Sequence, residues 1–266
     1  MRTPVDVRKR LSTPTSTFFE EDMFMMPGRV IRCVGAALGT FVALAGCDRQ
    51  AVVAAALPYE IVTQERPESQ EAYMRVYRQA YDVCARVRAM QNLPPPPPLV
   101  TLPADFVIKR STYLSNGRDY LIRHEEFNVE LEETDCKTSI GSNMTENVVR
   151  GGKVYGQRRE PDGHTETDET MLLAPHASDG SSFTEKKTVG GFAVRCLPAA
   201  MRTESTPETC AADTGAGVLF DGLGYPILLY ARSVVPVRNI MLVIEPVSVQ
   251  IGKPVPQERI ALSGAK

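Results

Sequence analysis

The chain contains no apolar run approaching the ~18–20 residues that a bilayer-spanning helix needs, so the sequence offers no such span. It has no surplus of one charge: 30 Lys and Arg stand against 32 Asp and Glu, a formal net charge of −2. The basic footprint of a nucleic-acid partner is therefore missing. There is no CxxC pair and no HxxxH pair, and the three histidines (His124, His164, His176) have no ligand-like spacing with the cysteines. A zinc site is not expected, and no other metal or cofactor is implied. No GxSxG frames a serine and no HExxH is present. Gly215-Ala216-Gly217 leads into the strand-like Val218-Leu219-Phe220 instead of a helix, which removes a phosphate cradle. Glu125-Glu126 and Glu132-Glu133 put adjacent carboxylates on opposite faces of a strand, a poor geometry for paired acid and base, and His124 reads as an exposed strand residue. No catalytic residue is nominated, and the protein is expected not to be an enzyme.

What is present begins with residues 26–46. Arg29 and Arg32 precede an uncharged, small-residue apolar segment, Val34 to Ala45, of signal-peptide length. The segment ends in Leu44-Ala45-Gly46-Cys47, and Asp48 and Arg49 follow at once. Glu20, Glu21 and Asp22 oppose the usual orientation of such a segment. Residues 1–25 therefore read as a non-native extension, with initiation near Met25 or Met26.

Leu44-Ala45-Gly46-Cys47 resembles the lipobox of bacterial lipoproteins. The resemblance implies cleavage before Cys47, fatty acylation (palmitate and related chains) of its thiol and new amino terminus, and a periplasm-facing domain on the inner or outer membrane. Two or three acyl chains exceed what stable anchoring requires, at ~0.8 kcal/mol per buried CH₂.

With Cys33 in the removed segment and Cys47 consumed by lipid, Cys84, Cys136, Cys196 and Cys210 remain. An even remainder in an exported chain reads as two disulfides. Of three possible pairings, Cys84–Cys136 and Cys196–Cys210 are favoured, each contributing ~2–4 kcal/mol.

Residues 47–66 read as a tether and 67–266 as one domain. Residues 68–91 carry Tyr73, Val76, Tyr77, Ala80, Tyr81, Cys84 and Val87 at helical spacing, an amphipathic helix with Ser69 as N-cap and a stripe expected in the core. Pro94 to Pro98 form an extended spacer. From 102 to 256 the period falls to two. Asn116-Gly117 and Gly151-Gly152 read as two-residue hairpins, and 160–182 as a long polar loop. The expected fold is α+β: a mainly antiparallel, curved β-sheet meander with one N-terminal amphipathic helix.

This order resembles the half-barrel periplasmic proteins of the lipoprotein-localisation pathway, which hold acyl chains or protein segments in an apolar cavity. It implies a non-enzymatic protein binding an apolar ligand or partner protein in envelope assembly. The alternatives are a lipoprotein subunit of a secretion or conjugation machine, and a periplasmic hydrolase.

Overall fold

The computed structural model describes residues 57–171, 180–235 and 238–264; the extension 1–25, the signal segment 26–46, Cys47, His176 and the upstream part of the tether lie outside the described residues. Tyr59–Pro67 forms strand β1, and Gln70–Met90 the helix α1. The first half continues with β2 (Lys109–Ser115), β3 (Tyr120–Leu131), β4 (Thr138–Arg150), β5 (Lys153–Arg159) and β6 (Thr165–Met171). The second half holds β7 (Glu185–Val189), β8 (Phe192–Cys196), β9 (Glu208–Ala212), β10 (Leu228–Val235) and β11 (Ile240–Ile251). All described strands belong to one sheet in the order β6-β5-β4-β3-β2-β1-β11-β10-β9-β8-β7. The named strand pairs are antiparallel, so the fold is two meanders joined where β1 pairs with β11.

Three expectations are corrected here. The helix is not the first element, and residues 59–66 are not tether: they form most of β1, the strand at the junction of the two meanders. Tyr59, Ile61 and Thr63 alternate inward from it, but Glu60, Gln64, Glu65, Arg66 and Pro67 make the segment read as polar linker. The 160–182 loop likewise contains β6, whose seven residues are all exposed and offer no alternating pattern to read.

The sheet is curved. In a flat sheet β7 would lie four inter-strand spacings, about 19 Å, from β11, yet a Cβ on Gly190 in the β7–β8 turn would meet Pro246 Cγ of β11 at 3.4 Å.

The interior divides into three clusters. One gathers Tyr59, Ile61, Val194, Leu219, Ile227 and Leu229 around the Cys196–Cys210 disulfide. A second closes the opposite face of β2–β4, where Leu114, Leu121 and Val148 meet Val255 and Ile260 of the C-terminal segment. In the third, Tyr73, Met74, Val76 and Tyr77 of α1 pack directly on Leu102, Phe106, Val129 and Ile240. Ser69 Oγ accepts from the Ala72 amide and caps α1 as expected. The Cys84–Cys136 disulfide ties the far half of the helix to the β3–β4 turn. The helix stripe expected in the core is only partly covered: Tyr73 is buried, but Ala80 and Val87 (42%) are exposed, as are Val83 (52%) and Met90 (76%) beside the stripe.

Candidate functional site: a polar row on the inner face

The register of the first meander places polar side chains side by side. Thr63 lies opposite Ser111, and Glu65 opposite Lys109. Ser111 in turn faces His124, and Lys109 faces Glu126. Directly paired residues share a face, so these six form a two-by-three block across β1, β2 and β3. The next row of that face is apolar: Ile61, Tyr113 and Ile122.

This register departs from the hairpin expected at Asn116-Gly117. The loop has four residues, 116–119, because Ser115 pairs with Tyr120. Asn116 Oδ1 accepts from the amides of Arg118 (2.9 Å) and Asp119 (2.8 Å), a local turn that outcompetes the tight hairpin. Asp119 is held out of the strand by Arg150 Nε (2.8 Å) and Gln257 Nε2 (2.7 Å). The consequence is a two-residue shift that brings His124 to Ser111. At Gly151-Gly152 both glycines take positive φ (58° and 75°) and Arg150 pairs with Lys153, the two-residue hairpin that the sequence indicates.

Two devices roof this face. The β7–β8 turn reaches back so that a Cβ on Gly190 would meet Pro246 Cγ at 3.4 Å, and Pro246 is the β11 partner of Thr63. The 213–227 loop crosses toward β3. Tyr59 Oη donates to the Phe220 carbonyl at 3.2 Å, and a Cβ on Gly222 would stand 2.7 Å from Tyr120, so glycine is required there by close approach. Thr63 and Ser111 are consequently buried (4% and 6% exposed), and His124 is half-buried, not the exposed residue expected from sequence.

The electrostatics follow from this cover. Ser111 Oγ and His124 Nδ1 are 2.9 Å apart, with the Tyr113 ring edge-on to the imidazole at 6.0 Å. Burial, reinforced by Lys109, pushes His124 down to about 3, so the imidazole stays neutral. Burial raises Glu65; Lys109 opposes that and Glu126 adds to it. Tyr113 is pushed up to about 12, mainly by burial and against a hydrogen bond from Ser111. Lys109 Nζ stands 3.6 Å from Glu126 Oε1.

A serine beside a histidine is the geometry of an activated nucleophile. The chemistry differs here. A base at about 3 removes a hydroxyl proton far less effectively than one near neutrality. Burial and the Lys109 cation, the groups that perturb the imidazole, both favour its neutral form.

The other residues singled out from sequence are scattered. Cys84–Cys136 and Cys196–Cys210 are bonded at separate places, and Cys47 lies outside the described residues. Cys196, Glu208 and Cys210 bring potential ligand atoms together, but both sulfurs are committed to the disulfide. His164 is exposed beside Glu166 at 3.7 Å. Glu132 lines a groove of about 270 Å³ with Glu130, Leu131, Lys137 and Ser139, a mainly charged and polar lining.

Sequence reasoning missed a second polar feature on the outer face. Glu146 is fully buried and accepts from Arg123 Nε (2.6 Å), the Ser263 amide (2.7 Å) and Ser263 Oγ (2.8 Å). Those bonds latch the C-terminal segment to β3 and β4. No protein-family model, curated protein or solved structure matches the chain.

Proposed function

We propose that the protein is a bacterial envelope lipoprotein, anchored through acyl chains on Cys47 and facing the periplasm, that binds a partner protein in envelope assembly without catalysing a reaction. The observation that carries this reading is the division of labour among cysteines. All four downstream of Cys47 pair in two disulfides within the described fold, which suits an oxidising compartment. Cys47 stands ten residues before the first described one, directly after a signal-like apolar segment. A partner protein is favoured over an apolar ligand because α1 sits on the sheet through direct contacts of Tyr73, Met74, Val76 and Tyr77.

The test is metabolic labelling with palmitate and fractionation of wild type and Cys47→Ser. Wild type should take up label, lose residues 1–46 and sediment with membranes, and Cys47→Ser should remain unlabelled and uncleaved. A wild-type chain that is unlabelled and full-length in the cytosol would overturn the reading.

A further inference from the structure

Helix α1 carries one wide apolar arc, and the sheet covers one side of it. Tyr73, Tyr77 and Cys84 turn toward the sheet, as the packing of the tyrosines and the Cys84–Cys136 bond require. The other side runs through Val76, Ala80, Val83, Val87 and Met90. Its spacing is 4-3-4-3, the strict a/d repeat that makes a narrow coiled-coil seam instead of the broad stripe of a helix lying on a core. Val76 lies where the two sides meet; from Ala80 onward the seam is exposed.

We propose that this seam is a homodimer interface, in which α1 of one copy pairs with α1 of a second copy in parallel about a two-fold axis. The repeat is self-complementary: each a or d side chain enters a gap between the same residues of an identical helix. Beta-branched Val87 at an a position suits two strands, whereas Val83 stands where a dimer prefers Leu at d. Parallel pairing sets Gln79 beside Cys84 of the second copy and Arg86 beside its Gln91, so no like charges are opposed along the seam. It also puts the two sheets on opposite sides of the helix pair, because the sheet-facing residues lie about a quarter turn from the seam.

The choice of a second copy over a lipid surface rests on the anchor proposed above. The described chain begins at Leu57, beside the start of β1, and α1 begins only after β1 has run its nine residues, about 30 Å. The seam therefore begins about one strand length beyond Leu57, the first described residue after Cys47. A two-fold axis along the helices keeps both Leu57 residues at one level, as two anchors in one leaflet require. The exposed seam, Ala80 to Met90, is only about 15 Å long, and co-anchoring raises the effective concentration that it needs.

The test is photo-crosslinking of the full chain in its own envelope, with p-benzoyl-phenylalanine replacing Val83, Met90 or Arg78. Positions 83 and 90 should give an adduct of twice the chain mass, with the position-90 adduct mapping to residues 87–91 of the second copy. Position 78, on the far side of the helix, should not. Adding Ala80→Asp with Val87→Asp should reduce the dimer adduct at least tenfold while both disulfides still form, which shows that these exposed substitutions leave the fold intact. Adducts only to lipid or to a different protein, no adduct, or mapping of position 90 to residue 76 would each overturn the proposal. Palmitate labelling is read separately, so failure of the anchor and failure of the dimer are distinguishable.

Discussion

Glu146 and Glu65 are both polar intrusions into the first meander, on opposite faces of it, and they are handled differently. Glu146 has no exposed surface, but three donors from Arg123 and Ser263 aim at its oxygens. Glu65 faces Lys109 across the ladder, has Glu126 in reach, and is raised by burial. Burial alone does not decide whether a carboxylate is comfortable; the number and aim of its donors do. The outer face spends a buried charge on fixing the C-terminal segment, whereas the inner face keeps groups that hold or lose protons out of their ordinary range.

The largest loss is expected from Glu146→Ala. It leaves Arg123 half-buried without its carboxylate and unlatches Ser263; with Arg123 still 30% exposed, the loss should fall below the roughly 3–5 kcal/mol of a fully buried pair. Urea unfolding should show that loss, with faster proteolysis after residue 255. A loss below about 1 kcal/mol would mean that solvent reaches the pair and the two faces do not differ.

A smaller effect is expected at His124 and depends on pH. The unfolded chain takes up a proton near 6.5, whereas folded His124 stays neutral to about 3. Between those values the unfolded state binds more protons, so stability falls as pH falls, by at most about 1.4 kcal/mol per pH unit. His124→Asn keeps a hydrogen-bonding group for Ser111 without the titration. Its stability should fall less steeply than wild type from pH 6 to pH 4. Parallel curves would show an imidazole that is solvated after all.

Much of the fold was legible because it obeys local rules. Ser69 and the following periodicity mark α1, Gly151-Gly152 marks the β4–β5 turn, and the even cysteine remainder points to the two disulfides present. What stayed hidden depends on distant sequence. β1 is recognisable only once β2 and β11 flank it, because Glu60, Gln64 and Arg66 disguise a strand that carries just three fully inward side chains before Pro67. The polar row depends on the 116–119 loop, and that loop depends on Arg150 and Gln257 holding Asp119. The helix stripe was visible, but periodicity cannot say how much of an apolar arc the rest of the chain will cover.

The smallest predicted effect closes the comparison at Glu65. Its proton is held above the ordinary carboxylate range, chiefly by burial, so the folded state binds the proton more tightly than the unfolded chain does. As pH rises from about 4.5, the unfolded chain ionises first and stability is lost until the folded group follows. Glu65→Gln removes that penalty at nearly constant shape and leaves Lys109 its contact with Glu126. The variant should match wild type near pH 4 and exceed it at pH 7, by a few degrees in Tm at most. If Glu65→Gln instead lowers Tm at pH 7, the Glu65–Lys109 attraction outweighs the cost of burial. Glu65 would then be a second Glu146, and the inner face would be held together by charge in the same way as the outer one.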